Sequence, residues 1–292
     1  MKKLLSVMLA AALALSVTAC GNTASSGSTA ASEPAAESAS SEAAETSEAA
    51  GEDTAGAASA GLTTVEAGKL IMSTNAAFPP YEMTTDDGGF EGIDVEIAGA
   101  IAEKLGLELQ IDDMDFDAAL LAAQTGKSDM VMAGVTVTDD RLLVMDFTES
   151  YATGIQVVIV PEDSDIASID DMTGKMIGVQ RGTTGAQYCS ADPEDGGFGE
   201  ENVTKYDNGL TAVQALNNGQ VDCVVIDNAP AQEFEEANPG LKILDTEFAN
   251  EDYAIGVAKG NTQLLDALNG AIAELQADGT IQSILDKYIS AE

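Results

Sequence analysis

From Lys69 to the C-terminus, short apolar runs alternate with stretches of helical periodicity, and few architectures accept that order. "KLIMSTN" predicts a strand. "IDVEIAGAIAEKLG" places Ile93, Ile97, Ile101 and Leu105 at four-residue intervals with Gly106 just beyond, the pattern of a helix stopped by glycine. "LELQIDDM" predicts a strand, "FDAALLAAQTG" a short helix, and "SDMVMAGVT" a strand covered on both faces. "KMIGVQRG", "NVTKYDN", "VDCVVID" and "LKILDTEF" predict further strands, separated by helices beginning near Thr184, Thr211 and Pro230. A last helical pattern runs from Gln263 to about Ile289, broken at "ADGT". The expectation is an α/β protein with mostly parallel sheets flanked by helices.

An internal echo divides this list in two. "LLAAQTGKSDMVMAG" (120–134) resembles "VQALNNGQVDCVVID" (213–227), aligning Gly126 with Gly219, Asp129 with Asp222 and Gly134 with Asp227. Each copy is a helix, a glycine stop, an Asp that opens a strand, and a buried strand. Two similar lobes would set Gly134 and Asp227 at equivalent strand ends, where open α/β sheets hold ligands.

The N-terminal end has a different character. Lys2 and Lys3 precede an apolar run from Leu4 to Ser16, too short to span a bilayer as a stable helix. Small residues then lead to Cys20, and "VTAC-G" resembles the lipobox of bacterial lipoproteins. Residues 1–20 are therefore expected to be a lipoprotein signal ending at the lipobox cysteine, with Cys20 kept after cleavage as the lipidated new N-terminus on the membrane. Residues 21–61 contain no aromatic and no branched aliphatic residue, so they predict an acidic, disordered Ala/Ser-rich tether. The chain carries 50 acidic and 12 basic residues, a formal net charge of −38, which argues against nucleic-acid binding. Cys189 and Cys223, the remaining cysteines, could form one disulfide outside the cell.

The chain has no histidine, which removes Ser-His-Asp and Cys-His nucleophile systems and the common zinc sites. "DPEDGGFGEEN" lacks the alternating oxygen ligands of a calcium loop, and "VQRGTTG" lacks the Lys of a nucleotide loop. No cofactor or metal is expected. What remains suits a zwitterion. Arg141, one of two arginines, offers a planar fork that matches a carboxylate. Thr136 shares a strand face with Gly134. Thr183 and Thr184 lie where a helix begins and backbone N–H groups are free. Asp227 ends an apolar strand, where a lone carboxylate needs a partner such as an ammonium group. Phe78 and Phe116 each open a segment after a strand. Plainer roles exist for all of them. Arg141 could pair with Asp139, Asp140 or Asp146; Thr184 and Asp227 could cap helices; the two aromatics could be core.

"STNAAFPPYEM", "GFEGIDVEIAGAIAEKLG", "DFDAALLAAQTGKSDMVMAGVTVTDDRLLVMDFTESY", "IGVQRGTTGAQ" and "GQVDCVVIDNAPA" occur in order. They resemble the successive motifs of the amino-acid-binding proteins of ABC importers, the extracellular solute-binding protein family 3, from about Lys69 onward. The resemblance implies a two-lobed, hinged fold of the periplasmic-binding-protein type II. Lobe 1 would comprise residues 62–158 and 253–292, and lobe 2 residues 159–252. Arg141 would hold a ligand's α-carboxylate, helped by Thr136 and Thr184. Asp227 would receive the α-ammonium, Phe78 and Phe116 would sandwich the side chain, and backbone at Ala133, Gly134 and Gly185 would add contacts. Asn75 stands where several relatives with basic ligands carry an acid, which favours a polar or neutral L-amino acid. Arg181 would read an acidic or amide side chain if it faces the cleft.

The partners implied are a free L-amino acid, an ABC permease with its ATPase subunits, and the membrane through the lipid alone. The chain is expected to be a monomer on the extracytoplasmic face of a bacterial cell membrane, and not an enzyme. Two alternatives stand beside this. One is a dehydratase of small carboxylic acids on the same fold, with Glu82 or Tyr81 as proton donor. The other is a surface amino-acid sensor without an importer.

Overall fold

The computed structural model describes residues 62–245 and 247–289. The expected signal, the lipidated Cys20 and the tether lie outside the described residues.

Two sheets form the frame. The first runs β5 (Glu108–Asp113), β1 (Lys69–Thr74), β6 (Met130–Val131), β14 (Gly256–Ala258) and β7 (Met145–Phe147). The second runs β10 (Val203–Tyr206), β9 (Ile177–Gln180), β11 (Cys223–Asp227), β8 (Ala152–Pro161) and β12 (Leu241–Ile243), and β13 (Ala249–Tyr253) also pairs with β8. Each sheet has a parallel core of three strands, β5-β1-β6 and β10-β9-β11. One strand in each sheet runs against its core, β14 in the first and β8 in the second, while β7, β12 and β13 run with it, so both sheets are mostly parallel as expected. Antiparallel β14 follows β13, which returns the chain from the second sheet to the first.

The helices follow from the apolar spacing. In α1 (Ile93–Leu105), Ile93, Ile97, Ile101 and Leu105 are all buried, and Gly106 ends the helix in the left-handed conformation with φ 67°. Together with α7 (Thr262–Ala277) and α8 (Thr280–Tyr288), α1 covers one face of the first sheet, and α2 (Phe116–Gln124) covers the other. The break between α7 and α8 falls at Asp278 and Gly279, inside "ADGT". In the second sheet, Val224 and Ile226 of β11 pack under α5 (Gly209–Asn217) and α6 (Asn228–Ala237). Cys223 and Val225 alternate to the opposite face, beneath α4 (Thr184–Ser190). Both cysteines are buried there as free thiols.

The internal echo is a structural repeat. After α2 and α5, Gly126 (φ 69°) and Gly219 (φ 66°) turn the chain in the same way. Asp129 then accepts from the Ile71 N–H of β1 at 2.7 Å, and Asp222 accepts from the Met176 N–H just ahead of β9 at 2.7 Å. Each Asp ties the start of its own strand to the neighbouring strand.

Two antiparallel strands connect the sheets. β8 leaves the first sheet's side and β13 returns beside it, with Ala152 opposite Tyr253. The expected lobe division at 158/159 falls inside β8, and that at 252/253 falls inside β13. Hydrogen bonds from Val137 N–H to Asp252 and from Ala254 N–H to Val135 tie the crossing to the first sheet. A small antiparallel sheet, β2 (Ala77–Phe78), β3 (Glu82–Thr84) and β4 (Phe90–Glu91), follows β1 and sets Phe78 opposite Glu82. Among the described residues no helix is long and apolar enough to cross a membrane.

Candidate functional site

The C-terminal ends of β1, β6, β9 and β11 converge on one cleft beside the crossing strands. Asn75, Phe78, Phe116, Ala133, Gly134, Thr136, Arg141, Thr183, Thr184 and Asp227 all line it. Gly185 does not; it is buried in the first turn of α4, where a Cβ would lie 2.8 Å from the Gln156 Oε1. Tyr81 stays beneath the cleft, stacked on Phe78 at 5.8 Å and edge-on to Tyr253 at 5.2 Å.

Arg141 owes its position to a short helix, α3 (Asp139–Val144), capped by the Thr138 hydroxyl, which accepts from the Arg141 N–H. That helix leaves Asp139 and Asp140 in solvent and turns Arg141 inward, 7% exposed. Nη1 donates to the Thr136 carbonyl at 2.7 Å and Nη2 to the Gly182 carbonyl at 3.1 Å. The guanidinium carbon lies 5.5 Å from the centre of the Phe116 ring. Asp146, a candidate partner, instead pairs with Lys259 at 2.7 Å. Among the described residues no carboxylate forms an ion pair with Arg141, and burial pulls its pKa down while Glu251 pulls it up. The surface-pairing alternative does not describe this side chain.

The capping alternatives also resolve. Thr183, not Thr184, caps α4, accepting from the Ala186 N–H at 3.2 Å, and Thr184 remains 2% exposed on the cleft wall. Asp227 occupies the N-cap position of α6 without a side-chain capping bond; it accepts from the Tyr253 hydroxyl instead. Burial, then the charge of Glu251, push Asp227 up to about 7 against the bonds it accepts. Arg181 points outward and pairs with Asp207 at 2.9 Å, both exposed, so it does not read a ligand.

Gln156, Gln180 and Glu251 are polar cleft residues that the sequence reading did not single out, and Glu82, named there only as a proton donor, also lines the cleft. Gln156 and Glu251 project from the crossing strands, where Glu251 Oε2 accepts from Gln156 Nε2 and from the Thr136 hydroxyl, each at 3.0 Å. Gln180 ends β9 and Glu82 lies in β3. Both Glu82 oxygens are buried, and burial, with the charge and hydrogen bonding of the neighbouring Asp94, raises its pKa well above the usual range. Asp94, just behind, accepts from the Gly134 N–H and the Tyr151 hydroxyl, each at 2.9 Å, which hold it to about 6 against its burial. The Gly134 N–H is therefore engaged inside the protein. For Gln156 and Gln180 the visible signal was a lone polar side chain in an apolar strand, as in "GIQVVIV"; Glu251, in the polar strand "ANEDY", gave none.

The cleft thus opposes one guanidinium to an excess of buried carboxyls. That is a site for a small molecule with both an anionic and a cationic group, and it has no histidine or metal cluster among the described residues. Residues 70–291 match the model of the bacterial extracellular solute-binding proteins, family 3. The L-cystine-binding protein TcyJ of Escherichia coli K12 is 30% identical over 230 residues, covering 78% of this chain and 85% of TcyJ. An ancestral arginine-binding protein bound to arginine superposes with a TM-score of 0.72 at 40% identity, over 76% of this chain and 99% of that one. A structure of an ancestral arginine-binding protein bound to glutamine gives 0.71 at 39% identity, over 77% and 99%. These neighbours are two-lobed binding proteins of the type II fold, and the relatives bind rather than transform their ligands, so the dehydratase alternative falls away. The chain belongs to the family 3 extracellular solute-binding proteins, the amino-acid-binding components of ABC importers.

Proposed function

We propose that this protein captures a free L-amino acid between two hinged lobes outside the cytoplasm and delivers it to an ABC permease. One observation carries the reading: Arg141 is buried, yet no carboxylate of the described residues pairs with it. A buried guanidinium without a counter-ion is costly, and a ligand carboxylate would meet its remaining N–H groups in two parallel bonds. Thr136, Thr184 and the backbone at Ala133 surround that carboxylate, while the Gly134 N–H stays with Asp94. Asp227, with Glu251 beside it, receives the α-ammonium, and Phe78 and Phe116 flank the side chain. Lobe 1 is residues 62–158 with 253–292, and lobe 2 is 159–252. The lipidated Cys20 and the tether 21–61 hold a monomer at the outer face of the cell membrane.

A polar side chain that donates hydrogen bonds fits this cleft. With a neutral amide at Asn75, the cleft adds no charge there to draw a cationic side chain, which favours an uncharged one. A cationic side chain is a second reading, favoured by the buried carboxyl of Glu82 on the cleft wall. Relatives named for arginine and cystine, and a structural neighbour holding glutamine, span the same choice. Calorimetric titration of the chain with L-glutamine, L-arginine, L-histidine and L-cystine ranks the candidates. Binding of no free amino acid would end the reading. Loss of uptake of the bound amino acid on deletion separates importer from sensor.

A further inference from the structure

The turn that carries Thr184 into the cleft also reaches across it. Gln180 donates from Nε2 to Oδ1 of Asn75 at 3.0 Å, and both side chains are buried. Two residues later, the Gly182 carbonyl accepts from Arg141. Away from the crossing strands β8 and β13, these two are the described side-chain hydrogen bonds that join the second sheet's body to the first's.

Both ends of the Asn75–Gln180 contact are fixed. The Thr183 hydroxyl donates to the Gln180 carbonyl at 2.8 Å and accepts from Ala186. The Arg181 N–H donates to the Tyr206 carbonyl at 2.8 Å. On the opposite side, Asn75 Nδ2 donates to the Met114 carbonyl at 2.9 Å, so the Asn75 amide already has a partner at each end.

We propose that the Asn75–Gln180 hydrogen bond is an interlobe latch that sets the lifetime of the closed state. Asn75 is then a positioning residue for closure and does not read the ligand's side chain. The inference rests on the two-lobed amino-acid-binding function proposed above. A buried amide pair is formed only when the lobes meet, because opening returns both groups to water. The rigid turn 180–184 makes latch formation and Thr184 contact one event. The latch acts on any ligand that permits closure and changes how long it is held.

Stopped-flow binding of L-arginine and L-glutamine to the full chain tests this. Gln180→Met keeps the side-chain length and removes the donor. It should raise koff about fivefold for each amino acid that binds, with kon within about twofold and the ranking unchanged, as for loss of one neutral hydrogen bond. Asn75→Ala should give the same factor, and the double variant no further increase. An unchanged koff, a factor that differs between amino acids, or additive single effects would overturn the latch. If the wild type binds neither of these, an amino acid that binds replaces them; if none binds, the binding function fails on its own, and the latch is read from spin labels at Leu121→Cys and Leu210→Cys, exposed positions of the two lobes. Gln180→Met should then shift the label distances toward longer values, and an unchanged distribution would overturn it.

Discussion

The guanidinium of Arg141 lies against the face of Phe116, 5.5 Å from the ring centre, with two carbonyls and no carboxylate in its plane of donors. A flat cation stacked on a ring and forked toward a ligand is not replaceable by an ammonium group. Arg141→Lys should therefore weaken amino-acid binding by more than tenfold despite keeping the charge. Phe116→Leu should weaken it less, by about 1 kcal/mol. Calorimetry on both variants checks the order.

Affinity should depend on pH through Asp227. Its carboxyl faces Glu251, the Tyr253 hydroxyl and Gln156, and burial lifts it to about 7. An ammonium ligand needs the ionised form, so affinity should rise about tenfold per pH unit below 7 and level off above it. Stability without ligand should run the other way. Asp227 and Asp94, held at about 7 and about 6, keep protons that the unfolded chain releases near its ordinary carboxylate range. The folded state is thus favoured at the acid end, and stability falls as pH rises from about 4 to about 7. Asp227→Asn should flatten the binding slope, as titrations from pH 5.5 to 8 would show.

Glu82 separates the two side-chain readings. Replacing its ionisable carboxyl by an amide in Glu82→Gln should cost a cationic ligand such as L-arginine more than tenfold if that group reaches it, because the amide cannot ionise to pair with the ligand. L-Glutamine should lose little. The same variant should raise the melting temperature at neutral pH, because a carboxyl whose pKa burial raises must take up a proton on folding and an amide does not. Equal losses for both amino acids would remove Glu82 from side-chain recognition.

The paired strand-opening acids make a stability prediction. Asp129 is buried and accepts from Val65 and Ile71 N–H, each at 2.7 Å, whereas Asp222 is exposed and accepts from Met176. Asp129→Ala should cost about 2–3 kcal/mol, and Asp222→Ala about 1 kcal/mol. Urea unfolding of the two variants gives the comparison.

The repeat was legible because its parts are local: a helix, a left-handed glycine, and an Asp three residues on. The apolar faces of α1 and β11 were legible for the same reason. β7, β13 and β14 were not, since strands of three to five residues acquire identity only from the strands they join. The burial of Arg141 was equally hidden, because Asp139, Asp140 and Asp146 nearby are as consistent with a surface ion pair, and only the family resemblance favoured the cleft. Gln180 and Glu251 were missed because their role arises where the two sheets meet, a relationship with no sequence period.

The central claim, that Arg141 is kept for a carboxylate the protein does not supply, is tested most directly by a ligand pair. Calorimetric titration of the wild type and Arg141→Ala should use an amino acid that binds and the same compound with its α-carboxylate converted to an amide. The wild type should prefer the free carboxylate by about 2–5 kcal/mol, and Arg141→Ala should lose that preference. Unchanged affinity in Arg141→Ala, or a preference that survives it, would contradict the account.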